Sequence, residues 1–267
     1  MKTHQPILYA VSLILLAGLA CSTLSGGTSP QATEPAAQDQ PTSKPNLNPA
    51  PTSTSAPAAT AKPTEPPAPA AQQFFTEEFD GGSDWTYFVV DGATSTITEE
   101  DNPNMAVLFE NGLLTFDLQD EGLWVYSVYQ SFEYDNVRMD ARVVNRGVNN
   151  NNVSLICRLT DTGWYEFNIA NNGLYWMLVA SVDSDNRVAY DLIYNGGSNK
   201  IKSGKETNEY TAVCNGNELS LFINGEEART VTESKYNLTN GLISASVSSF
   251  DTLPVTVDFE WIKISEP

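Results

Sequence analysis

From residue 113 onward the chain repeats one pattern, in which apolar and polar residues alternate with a period of two and no stretch carries a helical stripe. Alternation of this kind predicts strands with one buried face, over 113–118, 123–134, 136–145, 153–159, 164–170, 173–182, 188–194, 209–215, 218–223, 241–247 and 255–264. The connections are short and rich in turn residues: Asp161-Thr162-Gly163, Asn171-Asn172-Gly173, Asn195-Gly196-Gly197, Asn215-Gly216-Asn217 and Asn224-Gly225. Asn and Gly accept the positive φ that tight hairpins demand. More than ten short antiparallel strands joined this way predict an all-β sandwich or jelly roll.

The first seventy residues carry a different pattern. Met1-Lys2-Thr3-His4-Gln5 brings one positive charge, and 7–20 is apolar but too short for a membrane-spanning helix, which needs roughly twenty residues. A charged start, a short apolar run and small residues at its end predict a secretory signal over 1–20. The ending Ala17-Gly18-Leu19-Ala20-Cys21 resembles the bacterial lipobox, with Gly18 where Leu is usual, and implies lipidation of Cys21. Eleven of the fifteen prolines lie in 22–72, which has no aromatic residue and is mostly Ala, Thr, Ser and Gln besides. With nothing to bury, such a segment cannot offset the entropy of ordering its backbone. The expectation is a lipid-anchored disordered linker over 21–72, spanning roughly 40 Å as a coil and roughly 150 Å fully extended.

Composition places the core in 73–267, since all but one of the 27 aromatic residues lie there. Roughly 195 residues is ample for one core. The same region carries thirty acidic against eleven basic residues and so the whole net charge of −19. That balance excludes nucleic acid and anionic lipid surfaces as charge-driven partners and leaves neutral polymers, cations and proteins. The single histidine is His4, so the exported chain has no Ser-His-Asp triad, no Cys-His dyad and no imidazole metal site. With Cys21 lipidated, Cys157 and Cys214 remain, and an even remainder outside the cytoplasm predicts a disulfide.

The succession Cys157-Arg158, Gly163-Trp164-Tyr165-Glu166-Phe167, Tyr210 to Leu219 and Leu221-Phe222-Ile223-Asn224-Gly225 resembles the concanavalin A-like (LamG-type) jelly rolls. More narrowly it is similar to the 3-keto-disaccharide hydrolase-like domains of bacterial surface lipoproteins. Glu78-Phe79-Asp80 and Val257-Asp258-Phe259-Glu260-Trp261 match the paired terminal strands of such domains. The resemblance covers nearly all of 74–265, is most specific in the hairpin at 218–229, and speaks to architecture more than to activity.

That resemblance implies a carbohydrate-binding sheet face, with aromatic rings against sugars and polar groups on their hydroxyls. If Tyr165, Phe167 and Ile169 face the core, then Trp164, Glu166 and Asn168 point the other way; Leu155, Cys157 and Leu159 inward leave Arg158 outward. Trp164, Arg158, Glu166 and Asn168, extended by Trp124 and Tyr126, are the candidate ligand-binding residues. The bland alternative has Trp164 in a second packing layer and Arg158 paired with Glu166 across strands. A hydrolase is the competing function. Asp258 and Glu260 share a strand face at about the spacing of a catalytic carboxylate pair, but the Glu-x-Asp-x-x-Glu or Glu-x-Asp-x-Glu strand of laminarinase-like relatives is absent. A protein-interaction or structural module is the third. No cofactor is expected. Calcium is the one metal with candidate loops, Glu99-Glu100-Asp101-Asn102 and Asp183-Ser184-Asp185-Asn186, neither with EF-hand spacing. The expected partners are therefore carbohydrate or an envelope polymer, and a membrane through the lipid on Cys21, with the domain held outside the cytoplasm.

Overall fold

A computed structural model describes residues 72–267, except 82, 83, 99–101 and 149. The expected signal, Cys21 and the expected linker up to residue 71 lie outside the described residues, as do Glu99, Glu100 and Asp101.

The described residues form sixteen strands and no helix. They are β1 (Phe75–Glu77), β2 (Trp85–Asp91), β3 (Thr96–Thr98), β4 (Met105–Glu110), β5 (Leu113–Leu118), β6 (Leu123–Tyr129), β7 (Val137–Asn145) and β8 (Asn151–Thr160). Then come β9 (Gly163–Ala170), β10 (Leu174–Val182), β11 (Val188–Gly197), β12 (Thr207–Asn215), β13 (Glu218–Ile223), β14 (Glu226–Thr232), β15 (Leu242–Ser249) and β16 (Val255–Ser265). They make two antiparallel sheets. One runs β14-β13-β12-β7-β16-β5-β4, with β1 beside the end of β16; the other runs β11-β10-β9-β8-β15-β6-β2-β3.

Period-two alternation decides what lies between the sheets. On β7, Val137, Met139, Ala141 and Val143 are buried while Arg138, Asp140 and Arg142 face out. On β9, Tyr165, Phe167 and Ile169 enter the same core as Leu155, Cys157, Phe116 and Phe259. Cys157 of β8 and Cys214 of β12, both fully buried, are joined by the expected disulfide, which ties one sheet to the other.

Four strands precede Leu113, where the alternation predicts none, and β6 stops at Tyr129 rather than at 134. Glu78-Phe79-Asp80 is not a strand. The opening strand is β1, which pairs Phe75–Glu77 with Ile264–Ile262, and Phe79 then turns away at φ 57° with its ring buried. The hairpins at Asn111-Gly112 and Asn224-Gly225 each hold two successive residues at positive φ, as two-residue connections between twisted strands require.

The second sheet curls until its diagonal corners meet. Val188 at the start of β11 donates its N–H to Ser95 O (2.7 Å), Ile97 of β3 donates to Asn186 O (2.8 Å), and Thr96 and Arg187 form a bridge. Staggered closure of this kind is how tilted strands shut a barrel. The curl encloses a second, smaller core away from the first sheet, made of Val90, Tyr126, Val128, Ile156, Trp164, Ala180 and Val188. Ser244, Ser246 and Ser248 of β15 lie on the floor of this face, and their small side chains leave room above the strand for large rings from its neighbours.

Candidate functional site

One mouth of the curled sheet is a hollow of about 340 Å³ lined by Trp124, Tyr126, Asn152, Glu166, Asn168, Trp176, Leu178, Tyr190 and Phe250. Strand register brings these together. The row Tyr126, Ser246, Ser154, Asn168, Trp176 crosses β6, β15, β8, β9 and β10, and Trp124, Ser248 and Asn152 form the adjoining row.

Glu166 is 3 % exposed and is the one carboxylate among the lining residues. It accepts four hydrogen bonds: from Ser154 Oγ (2.7 Å) and Asn168 Nδ2 (3.0 Å) on one oxygen, and from Tyr126 Oη (2.9 Å) and Trp164 Nε1 (3.1 Å) on the other. Asn152 donates to Asn168 Oδ1 (2.8 Å), and the hydroxyls of Tyr126 and Tyr190 bond each other at 2.8 Å. Burial first, and then the charge of Glu166, push the phenol groups of Tyr126 and Tyr190 well above the usual tyrosine range. Neither phenol is prepared as a phenolate nucleophile. The floor is thus a polar network whose members hold one another in place.

The rim is different. Trp124, Trp176, Tyr190 and Phe250 are half-buried, and the indole N–H groups of Trp124 and Trp176 have no hydrogen-bond partner among the described residues. Trp124 meets Tyr190 edge-on at 5.4 Å. Trp176 lines the hollow and has no ring partner among the described residues.

Of the sequence-derived candidates, Trp124, Tyr126, Glu166 and Asn168 come together here. Trp164 lies beneath them at 1 % exposure, edge-on to Tyr126 (5.3 Å) and Phe88 (5.8 Å), in the second packing layer. Arg158 does not join them. A bulge between Cys157 and Thr160, with Arg158 at φ 54°, reverses the alternation, so that Leu159 packs into the second core and Arg158 turns the other way. Its guanidinium donates to the carbonyls of Asp135 (2.8 and 3.1 Å), Gly216 (2.7 Å) and Leu238 (2.7 Å) and lies 5.9 Å from the Tyr165 ring centre. No Arg158–Glu166 pair exists, and Arg158 is a clamp on three loops.

Beside that clamp Glu233 accepts the Tyr165 hydroxyl and the backbone N–H groups of Lys235 (2.5 Å), Tyr236 (2.8 Å) and Asn237 (3.2 Å). Burial by itself would raise its pKa, but these bonds outweigh it and hold the carboxyl below its ordinary value of 4.5. The folded-state value being depressed, the stabilisation is complete above the unfolded-state pKa and is lost as pH falls through the lower folded-state one. Urea titrations between roughly pH 7 and pH 3 should show an acid-side loss that Glu233→Gln flattens. An unaltered acid limb in that variant would remove Glu233 as its source.

Asp258 and Glu260 lie in β16 of the other sheet. A bulge between Phe259 and Trp261 separates them; Asp258 is ion-paired with Arg146 and accepts from Thr115 (2.7 Å), and Glu260 is paired with Arg142 (2.5 Å). In the second candidate calcium loop, Asp183 Oδ1 accepts the N–H groups of Asp185 and Arg187, both at 2.9 Å, which also lower its pKa. Among the described residues no cluster of three His, Cys, Asp or Glu is gathered as metal ligands would be.

Sequence reasoning missed Trp176, Tyr190, Phe250 and Asn152. The signal for Trp176 was present: with Tyr175, Met177 and Val179 inward on β10, Trp176 and Leu178 must face the same side as Glu166.

No protein-family model matches the chain, and no curated protein matches its sequence. Solved structures do match in three dimensions. A glycoside hydrolase family 16 endo-glucanase from Bacteroides ovatus, in complex with G4G3G-2F-DNP, superposes with a TM-score of 0.52 at 11 % identity, over 72 % of this chain and 99 % of the other. A prokaryotic β-1,3-1,4-glucanase (lichenase) derived from a mouse hindgut metagenome does so with a TM-score of 0.51 at 13 % identity, over 73 % and 100 %. At such identities the likeness speaks for architecture alone: the two-sheet sandwich of the described residues has the concanavalin A-like jelly-roll fold.

Proposed function

We propose that the domain binds carbohydrate, or a similar neutral extracellular polymer, in the hollow at the mouth of the curled sheet. The lipid on Cys21 and the linker 21–72 would hold it at the outer face of a membrane. The observation that carries the reading is half-buried Trp176, its N–H without a partner among the described residues, lining one hollow with Trp124, Glu166, Asn168 and Asn152. Half-buried aromatic rings with a few fixed polar groups are the usual make-up of a small-ligand site. Rings stack on the apolar faces of sugars, and the N–H and amide groups meet their hydroxyls. The domain's strong negative charge favours an uncharged ligand. Two glucanases share the fold, although a fold does not carry an activity with it. Cleavage of a glycosidic bond takes two carboxylates about 5–9.5 Å apart. The lining offers one, held by four internal hydrogen bonds, which favours binding over hydrolysis.

The test is a glycan array, run with and without calcium, on the wild-type protein and Trp176→Ala. One sugar class should be retained by the wild type. The variant should bind it at least about tenfold more weakly while its melting temperature moves by less than about 2 °C. Silence of the wild type across the array, or equal binding by the variant, would overturn the reading.

A further inference from the structure

The concave face of a curled sheet can serve as an open trough along which a polymer lies, or it can be shut. Here it is shut in two ways. The hydrogen bonds of Val188 to Ser95 and of Ile97 to Asn186 strap one edge of the sheet to the other. Inside the strap Phe88 stacks on Tyr126 (4.8 Å between ring centres), and Trp164 stands edge-on against both. Val90 and Ile156 complete the plug, and neither is exposed at all.

The plug leaves two openings that share no lining residue. One is the hollow over Glu166. The other, of about 550 Å³, is bounded by Phe88, Ile97, Leu159, Trp164 and Leu242. Among the described residues one side-chain hydrogen bond joins the two linings, from Trp164 Nε1 to Glu166 at 3.1 Å. A chain entering over Trp176 therefore meets the Tyr126 and Tyr190 hydroxyls and has no path onward along the sheet.

We infer that the hollow recognises the end of a saccharide chain, or a short oligosaccharide, and not an internal segment of a polymer; this rests on the carbohydrate reading above. A blind site of about 340 Å³, at the small end of ligand pockets, takes few sugar rings. Each ring beyond them projects into solvent and adds no contact.

The test uses the full chain with four neutral polymers (a mixed-linkage β-glucan, a mannan, a fructan and a galactan), their oligosaccharides of graded length, and the same polymers cut shorter by enzyme. Calorimetry should show affinity rising over the first few sugars and then holding within about twofold as the oligosaccharide lengthens. Binding capacity per gram of polymer should rise in proportion to the number of chain ends, so that cutting the chains about tenfold shorter raises it about tenfold. Capacity per gram that ignores cutting, with affinity still climbing through the longest oligosaccharides, would overturn end recognition while leaving the carbohydrate reading in place. No binding to any of the four polymers or their fragments would overturn both.

Discussion

Trp164→Ala should cost about 3–5 kcal/mol of folding stability, the range for truncating a buried large aromatic side chain. For a domain of this size that lowers the melting temperature by about 10 °C. The ring is 1 % exposed, packs edge-on against Tyr126, Phe88 and Tyr190, and donates its N–H to Glu166. Removing it opens a cavity in the second core and leaves one oxygen of a buried carboxylate a bond short. Trp164→Phe separates these effects: most of the packing survives and the loss should be about 1–2 kcal/mol, chiefly the missing hydrogen bond. Saccharide binding below the melting temperature should persist in both, because Trp164 does not line the hollow. Trp176→Ala is the mirror case, a loss of binding with stability kept. If Trp164→Ala melted with the wild type, the ring would not be part of a core.

Why the sequence pointed to Trp164 rather than Trp176 is a matter of what alternation can tell. On β9 it correctly divides Tyr165, Phe167 and Ile169 from Trp164, Glu166 and Asn168. It cannot tell that the second face is also covered, because the cover comes from β3 and the start of β11, far away in the chain and brought in by the curl. Every residue of β9 is buried as a result. The same covering hides β2, whose Phe88-Val89-Val90 run is apolar on both faces and so shows no alternation. Strands β1 and β3 are three residues long, too short for any period to register. Arg158 shows the other limit. One extra residue at a bulge exchanges the two faces for everything beyond it, and nothing in Cys157-Arg158-Leu159-Thr160 announces the bulge. What a local pattern could carry, the strands from β5 on apart from β14 and the facing of β9, was legible. What depended on long-range closure was not.

Removing the Cys157–Cys214 bridge with the double variant Cys157→Ala, Cys214→Ala should cost about 4 kcal/mol, again about 10 °C in melting temperature. In the chain-entropy model the bridge acts on the unfolded chain, by closing a loop between residues 57 apart. Both sulfurs are fully buried between the sheets, so the two alanines also give up some packing, which adds to the loss. The free energy of unfolding should fall while alkylation of the wild type without reductant finds neither cysteine free. A loss under about 1 kcal/mol would show that the closed loop does not restrict the unfolded chain. The pair of variants also tests how the molecule is divided. The bridge belongs to the core between the sheets and Trp164 to the core within the curl, on opposite faces of the second sheet. Combined, the two losses should add to within about 0.5 kcal/mol. A combined loss well short of that sum would mean that the two sites are energetically coupled through the second sheet, and that the plug closing off the hollow depends on the bridge.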